Sequence, residues 1–190
     1  MSAIAKINVA ALADRAKNIL MTPEKEWEKI DGEKPVLAEL FTNYAAILIA
    51  IPAVCSFIGW QVFGIMGMHP SIGISLKHLV LTYIVSVISL VVSGLASEFL
   101  APQFGGTADR LSAFKLAIYS MTAAWLAGIF SIVPALGILG IVGLYSVYLY
   151  YLGAPRLMKV PKEKAGVYTA AVIISTIVVG GVLGVLLLRS

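Results

Sequence analysis

The feature that most constrains this chain is where charge is missing. Four intervals carry no Asp, Glu, Lys or Arg: residues 40–76, 78–97, 116–155 and 165–188. A helix crosses about 30 Å of hydrocarbon in about 20 residues, so 78–97 and 165–188 predict one span each. The first interval predicts one span plus GMHPSIG (67–73) as a turn outside the membrane. The third is about twice the length one crossing needs, and Pro134 divides it, predicting a tight hairpin. Five spans result, near 41–65, 77–100, 113–133, 136–156 and 166–188. A four-span alternative makes 116–155 one kinked helix plus a re-entrant piece. Composition agrees: 59% of residues are hydrophobic and 13% charged, against about 45–50% and 25% in soluble domains.

The reading is therefore an all-α polytopic membrane protein. Residues 1–39 form a cytoplasmic region with interfacial helices and residues 40–190 a five-helix transmembrane domain. Lys6, Asp14, Arg15 and Lys17 interrupt any secretory h-region, so the first apolar run is expected to remain as an anchor. Of the 14 Lys and Arg, twelve fall on the side of the N-terminus and only Lys77 and Arg189 on the other. The positive-inside rule puts the N-terminus in the cytoplasm and the C-terminus outside, and a bacterial inner membrane and a eukaryotic endomembrane fit this equally well. The basic residues lie between apolar runs rather than along one face, which argues against nucleic acid.

Before the spans, Val9, Leu12, Ala16, Ile19 and Leu20 share one helical face. TPEKEWEKIDG follows, with Thr22 as N-cap, Pro23 at the first helical position and Gly32 ending the helix. Trp27 and Ile30 share a face suited to the headgroup zone. The region reads as a membrane-lying platform for partners, or else as a solvated tail anchored by Trp27.

Polar groups inside the spans are few. Glu98 lies near the cytoplasmic end of span two, within reach of Arg110 or Lys115. Ser86, Ser89, Ser93 and Ser97 form a stripe on the same span, read as close packing or as a polar pathway. Gly137, Gly140 and Gly143 read as small contact points. Gly180 and Gly184 match GxxxG, which serves internal packing or a homo-oligomer. Tyr145, Tyr148 and Tyr151 share a face of span four while Tyr150 points away; Tyr145 lies deeper and calls for a Ser or Thr partner on a neighbouring span. His69 and His78 lack a third ligand and Cys55 is alone, so neither metal nor cofactor is expected. No HExxH and no phosphate-cradling loop occurs, and no enzyme is expected.

The junction LYYLGAPRLMKVPKEK (149–164) reads as span four leaving the bilayer. Tyrosines sit at the interface, Gly153 and Pro155 end the helix, and Arg156, Lys159, Lys162 and Lys164 hold the loop inside, where they can contact lipid headgroups.

MTPEKEW, the junction LYSVYLYYLGAPRLMKVPKEKA and the five-span layout together resemble the Yip1 family, in particular its bacterial branch. The matching positions are Pro23, Trp27, Tyr145, Tyr148, Gly153, Pro155, Lys159 and Pro161. The resemblance implies a cytoplasmic N-terminus, five spans and a body without known catalytic activity. Eukaryotic relatives associate with prenylated Rab-type GTPases, but the Asp-Leu-Tyr-Gly-Pro element typical of them is absent, so GTPase binding is not carried over. The functional expectation is a non-enzymatic protein that organises protein partners or lipids at the cytoplasmic face. The alternative is a small-solute or ion permeation protein, oligomeric, using the Ser stripe, Glu98 and the span-four tyrosines.

Overall fold

Where a residue in a membrane cannot meet water, its backbone groups must pair locally, and helices are the solution open to a single chain with no closed sheet. A computed structural model describes residues 8–65 and 68–189, with side chains through Val182 in the last helix. Lys6, Ile4 and Ile7, the first residue of the 67–73 turn at Gly67, and the side chain of Arg189 with the Gly184 half of the GxxxG pair lie outside what is described. Two short helices come first, α1 (Val9–Met21) and α2 (Pro23–Gly32). Five helices long and apolar enough to cross a membrane follow: span one Leu37–Val62, span two Ile72–Phe104, span three Arg110–Ile132, span four Pro134–Leu157 and span five Lys162–Val182. No strand occurs among the described residues.

The count of five and the hairpin at Pro134 match expectation. The ends facing α1 and α2 run further than expected: span one begins four residues earlier than 41, and span two continues as a 3₁₀ turn to Phe104. Spans two, three, four and five pack in a ring, and span one lies against two and three. Span three is the centre. In its apolar window 67% of residues are buried, against 17–33% in the other spans. Ala113, Ala117, Ala123 and Ala127 are all buried there, and small side chains let neighbouring backbones approach closely without a hydrophobic driving force.

Span one is not a regular α-helix. Phe41–Ala45 is a π turn, and Pro52 sits inside the helix. Gly59 and Gly128 make room where spans one and three touch: a side chain on Gly59 would run into the carbonyls of Ser131 and Ile132, and one on Gly128 into Pro52. Ser56 locks this crossing, donating to the Pro52 carbonyl (2.7 Å) and to Ser131 (3.1 Å).

On both sides of Pro134 the chain winds as 3₁₀ helix, over Gly128–Ile132 and Pro134–Leu144. The expectation of ordinary α-helix with three glycine contact points is corrected here. A 3₁₀ helix has three residues per turn, so Gly137, Gly140 and Gly143 stack along one edge. Only Gly143 touches a neighbour, the backbone of Ala124; nothing lies within 4 Å of where a side chain would start on Gly137 or Gly140.

Candidate interaction platform at the basic end

The loops after spans two and four, together with α1 and α2, gather at one end of the bundle. α2 forms because Pro23 occupies its first position, Glu24 and Glu26 meet its positive terminus and Lys29 its negative one. Thr22 does not cap it with its side chain; the hydroxyl turns back to the Asn18 carbonyl of α1 (3.2 Å). The apolar face of α2 is covered by protein rather than by headgroups: Trp27 and Ile30 are both 0% exposed. Trp27 lies over Gly153, where an added Cβ would come within 2.8 Å of the indole and 2.6 Å of Leu116. Its ring meets Tyr119 edge-on at 6.4 Å, and Tyr119 meets Tyr44 at 5.0 Å. The Arg15 guanidinium stands 5.5 Å from the centre of the Tyr119 ring. The face of residues 9–32 that carries Ile19, Trp27 and Ile30 is therefore packed on the bundle rather than left to solvent.

Three cations tie α2 down. Lys115, 2% exposed in span three, donates to the carbonyls of Ile30 (2.6 Å) and Glu33 (2.8 Å), satisfying groups that a helix end leaves open. Arg156 pairs with Glu28 (2.6 Å) and Lys159 with Asp31 (2.9 Å). These last two pairs are about half exposed, and exposed pairs contribute roughly 0–1 kcal/mol each. Within the region, Arg15 bridges Glu26 and Glu33, both at 2.5 Å. Burial works against the Arg15 charge, but the hydrogen bond and charge of Glu33 and the charge of Glu26 prevail and raise its pKa.

Span four does not stop at Gly153 or Pro155. Its helix runs through both to Leu157, and Gly153 serves as the seat of Trp27. The chain turns at Lys159, whose φ of 54° is left-handed, a conformation that costs a non-glycine residue roughly 1–2 kcal/mol. Its ammonium reaches both Asp31 and the Arg156 carbonyl (2.5 Å). The turn packs on the loop after span two, where Thr107 N–H donates to the Met158 carbonyl (2.8 Å). Gly105, at φ 85°, turns that loop toward Pro161, and a side chain on Gly106 would strike Met158. This Gly-Gly pair escaped the sequence reading, although FGG after a Pro is a turn signal. Asp109 then caps span three through the Ser112 N–H (2.8 Å), and Ser112 hydrogen bonds hold its carboxyl below the usual range. Lys162 and Lys164 are exposed at the start of span five and make no ion pair among the described residues.

The polar groups of span two are placed as follows. Glu98 pairs with Arg110 (2.9 Å). Ser86 donates back to the Thr82 carbonyl (2.8 Å), and Ser89 lies beside Gly180. Ser97 donates to the Ser93 carbonyl (2.6 Å) and is hydrogen-bonded to Tyr150, while Tyr168 of span five donates to the Ser97 carbonyl (2.9 Å). The tyrosine that finds serine partners is thus Tyr150, the one expected to point away. Tyr145 instead donates to the Leu20 carbonyl of α1 (3.1 Å), with Tyr148 beside it at 5.4 Å. Among the described residues no three His, Cys, Asp or Glu side chains stand close enough to hold a metal.

A model of the Yip1 domain matches residues 17–184, a stretch that runs from the second half of α1 through span five and takes in α2 and both loops of the platform. The chain belongs to the Yip1 family. Among known Yip1 relatives, the inner membrane protein YohC of Escherichia coli K12 is 25% identical over 153 residues, covering 75% of this chain and 77% of its own. YohC from E. coli O6:H1 matches equally. No solved structure matches this Yip1 protein.

Proposed function

We propose that this membrane protein of the Yip1 family is non-enzymatic and organises protein partners or lipids at the cytoplasmic face of a bacterial inner membrane. The observation that carries the reading is the docking of α2: Trp27 on Gly153, Lys115 on the α2 carbonyls, and Arg156 and Lys159 on Glu28 and Asp31 join the N-terminal region and the 156–164 loop into one surface. A surface fixed by several independent contacts is pre-organised, which lowers the ordering cost of binding a partner. The cation asymmetry supports its cytoplasmic placement, and the membrane named for the E. coli relative supports the inner membrane. Permeation draws less support, because Ser93, Ser97, Tyr150 and Tyr168 are hydrogen-bonded among themselves and Glu98 is paired with Arg110.

The test places a photocrosslinking residue at Lys17, Lys25 or Lys29, exposed positions of α1 and α2, and at Ile138 as the far-end control. Discrete protein adducts from the first three positions and none from Ile138 are expected. Equal yields at both ends, or no adducts from α1 and α2, would overturn the platform reading.

A further inference from the structure

Two clefts meet at Tyr151 on the outer side of spans four and five. The first, of about 320 Å³, opens at the basic end and is lined by Glu24, Trp27, Pro155, Arg156 and Lys162. The second, of about 610 Å³, continues along the spans between Val147, Tyr148, Gly166, Thr169 and Ala170. Tyr151 borders both. The upper cleft holds two cations and a carboxylate, whereas the lower is almost wholly apolar. Three buried side-chain polar atoms lack a hydrogen-bond partner among the described residues, and two of them, Trp27 Nε1 and Thr169 Oγ1, belong to residues lining these clefts. Both are donors, and a buried donor without an acceptor is destabilising.

We infer that the paired clefts bind one phospholipid whose headgroup carries both a phosphate and a primary ammonium, of the phosphatidylethanolamine kind. The phosphate lies between Arg156 and Lys162, the ammonium meets Glu24, and an acyl chain follows the groove past Val147, Tyr148 and Gly166. The ester carbonyls of a glycerolipid sit between headgroup and chain, at the level where Tyr151 borders both clefts. Charge decides the headgroup. A purely anionic one would bring its phosphate against Glu24 and against Glu28, which already pairs with Arg156; a zwitterionic one satisfies both signs. Exposure decides the solvent side: Val147, Tyr148 and Tyr151 are exposed apolar surface on a membrane span. This deepens the platform reading by naming a lipid for the same end of the molecule, and rests on that reading only for the side of the membrane.

The test extracts full-length protein in mild detergent from vesicles of equal phosphatidylethanolamine, phosphatidylglycerol and phosphatidylcholine, and weighs the retained lipid by native mass spectrometry. One phosphatidylethanolamine is expected, preferred roughly tenfold over phosphatidylglycerol, the effect of one charge-assisted hydrogen bond. Glu24→Gln should erase that preference. Gly166→Leu should remove the lipid, because nothing lies within 4 Å of its Cβ position and the new side chain enters the groove rather than the protein. Lys162→Gln, at an exposed residue without an ion pair among the described residues, should weaken retention without touching the fold. Unchanged lipid in Gly166→Leu protein that melts like the parent, or unchanged retention in Lys162→Gln, overturns the site; equal retention of the three lipids overturns the headgroup assignment. Crosslinks from α1 and α2 that persist in Gly166→Leu would show that the platform and the lipid site fail or stand separately.

Discussion

At the basic end, α2 is clamped by a buried tryptophan, by a buried lysine on its carbonyls and by two ion pairs. At the opposite end, spans three and four meet at Pro134 through 3₁₀ turns whose aliphatic side chains face outward, Ile138 being 80% exposed. All ten Asp and Glu are on the first side of this divide, those in spans two and five being Glu98 near the end of one and Glu163 in the first turn of the other. The difference teaches where specificity is placed. The basic end is a set of complementary polar and aromatic contacts with one solution. The far end has few such contacts and relies on lipid to cover it. A 3₁₀ helix rises about 2.0 Å per residue against about 1.5 Å for an α-helix, so Pro134–Leu144 gains length from few residues, at the expense of poorer hydrogen bonds.

Trp27→Ala strikes the basic end hardest. It empties a site enclosed by Gly153, Leu116 and Tyr119, and truncating a buried aromatic costs roughly 3–5 kcal/mol. Reversible unfolding in mixed micelles should show that loss, with α2 detached and newly open to protease. An unfolding free energy within 1 kcal/mol or so of the parent, against that range, would mean that α2 is not clamped. Gly153→Ala attacks the same contact from the other side. Its methyl must displace Trp27 or Leu116, and overpacking of this kind costs roughly 1–3 kcal/mol. A neutral outcome would show that Trp27 has room to move.

The spans were legible because charge is so costly in hydrocarbon that its absence marks them directly. Pro134 was legible as a hairpin for a similar reason, since a proline in an overlong uncharged run has few other meanings. The platform was legible only as residue pattern. Trp27 and Ile30 three apart announce a buried face, but periodicity does not say whether protein or headgroup covers it. Gly153 beside Pro155 reads as a stop, yet a glycine opposite an indole is there for space. The tyrosines show the same ambiguity: facing was readable from spacing, while the partners, Leu20 for Tyr145 and Ser97 for Tyr150, depend on which helices adjoin. Glycine at every third position from 137 to 143 stacks on one edge of a 3₁₀ helix, but residues three apart also share a face of an α-helix, so the spacing does not choose between the two.

Acid gives a gentler test of the two ends. The Asp109 carboxyl is held below its ordinary range by the Ser112 hydrogen bonds. Its capping is then fully present above the unfolded-state value, about 3.9, and is lost as pH falls through the lower folded value. Asp109→Ala should remove roughly 0.5–2 kcal/mol at neutral pH and nothing further at the acid limit, where parent and variant converge. Hydrogen exchange followed down the pH scale should show the start of span three already open in the variant at neutral pH and opening in the parent only as acid removes the cap, with the Pro134 turn unaffected in both. Equal response at the turn, which has no carboxylate near it in sequence, would erase the contrast between the ends.

The smallest effect belongs to Gly140→Ala, the counterpart of Gly153→Ala at the far end. Both replace a glycine in a helix by the same methyl, so the intrinsic gain from restricting the unfolded chain is shared, roughly 0.4–1 kcal/mol. At Gly153 that gain is overridden by the clash with Trp27 and Leu116, whereas the Cβ position of Gly140 has nothing within 4 Å. Stability should therefore stay level or rise by a few tenths of a kcal/mol, within that range. The same unfolding measurement reads both variants, and opposite signs are expected. A loss at Gly140 comparable to the loss at Gly153 would mean that the glycine edge of the 3₁₀ segment is packed against something, and the far end would then be a second specific surface rather than one left to lipid.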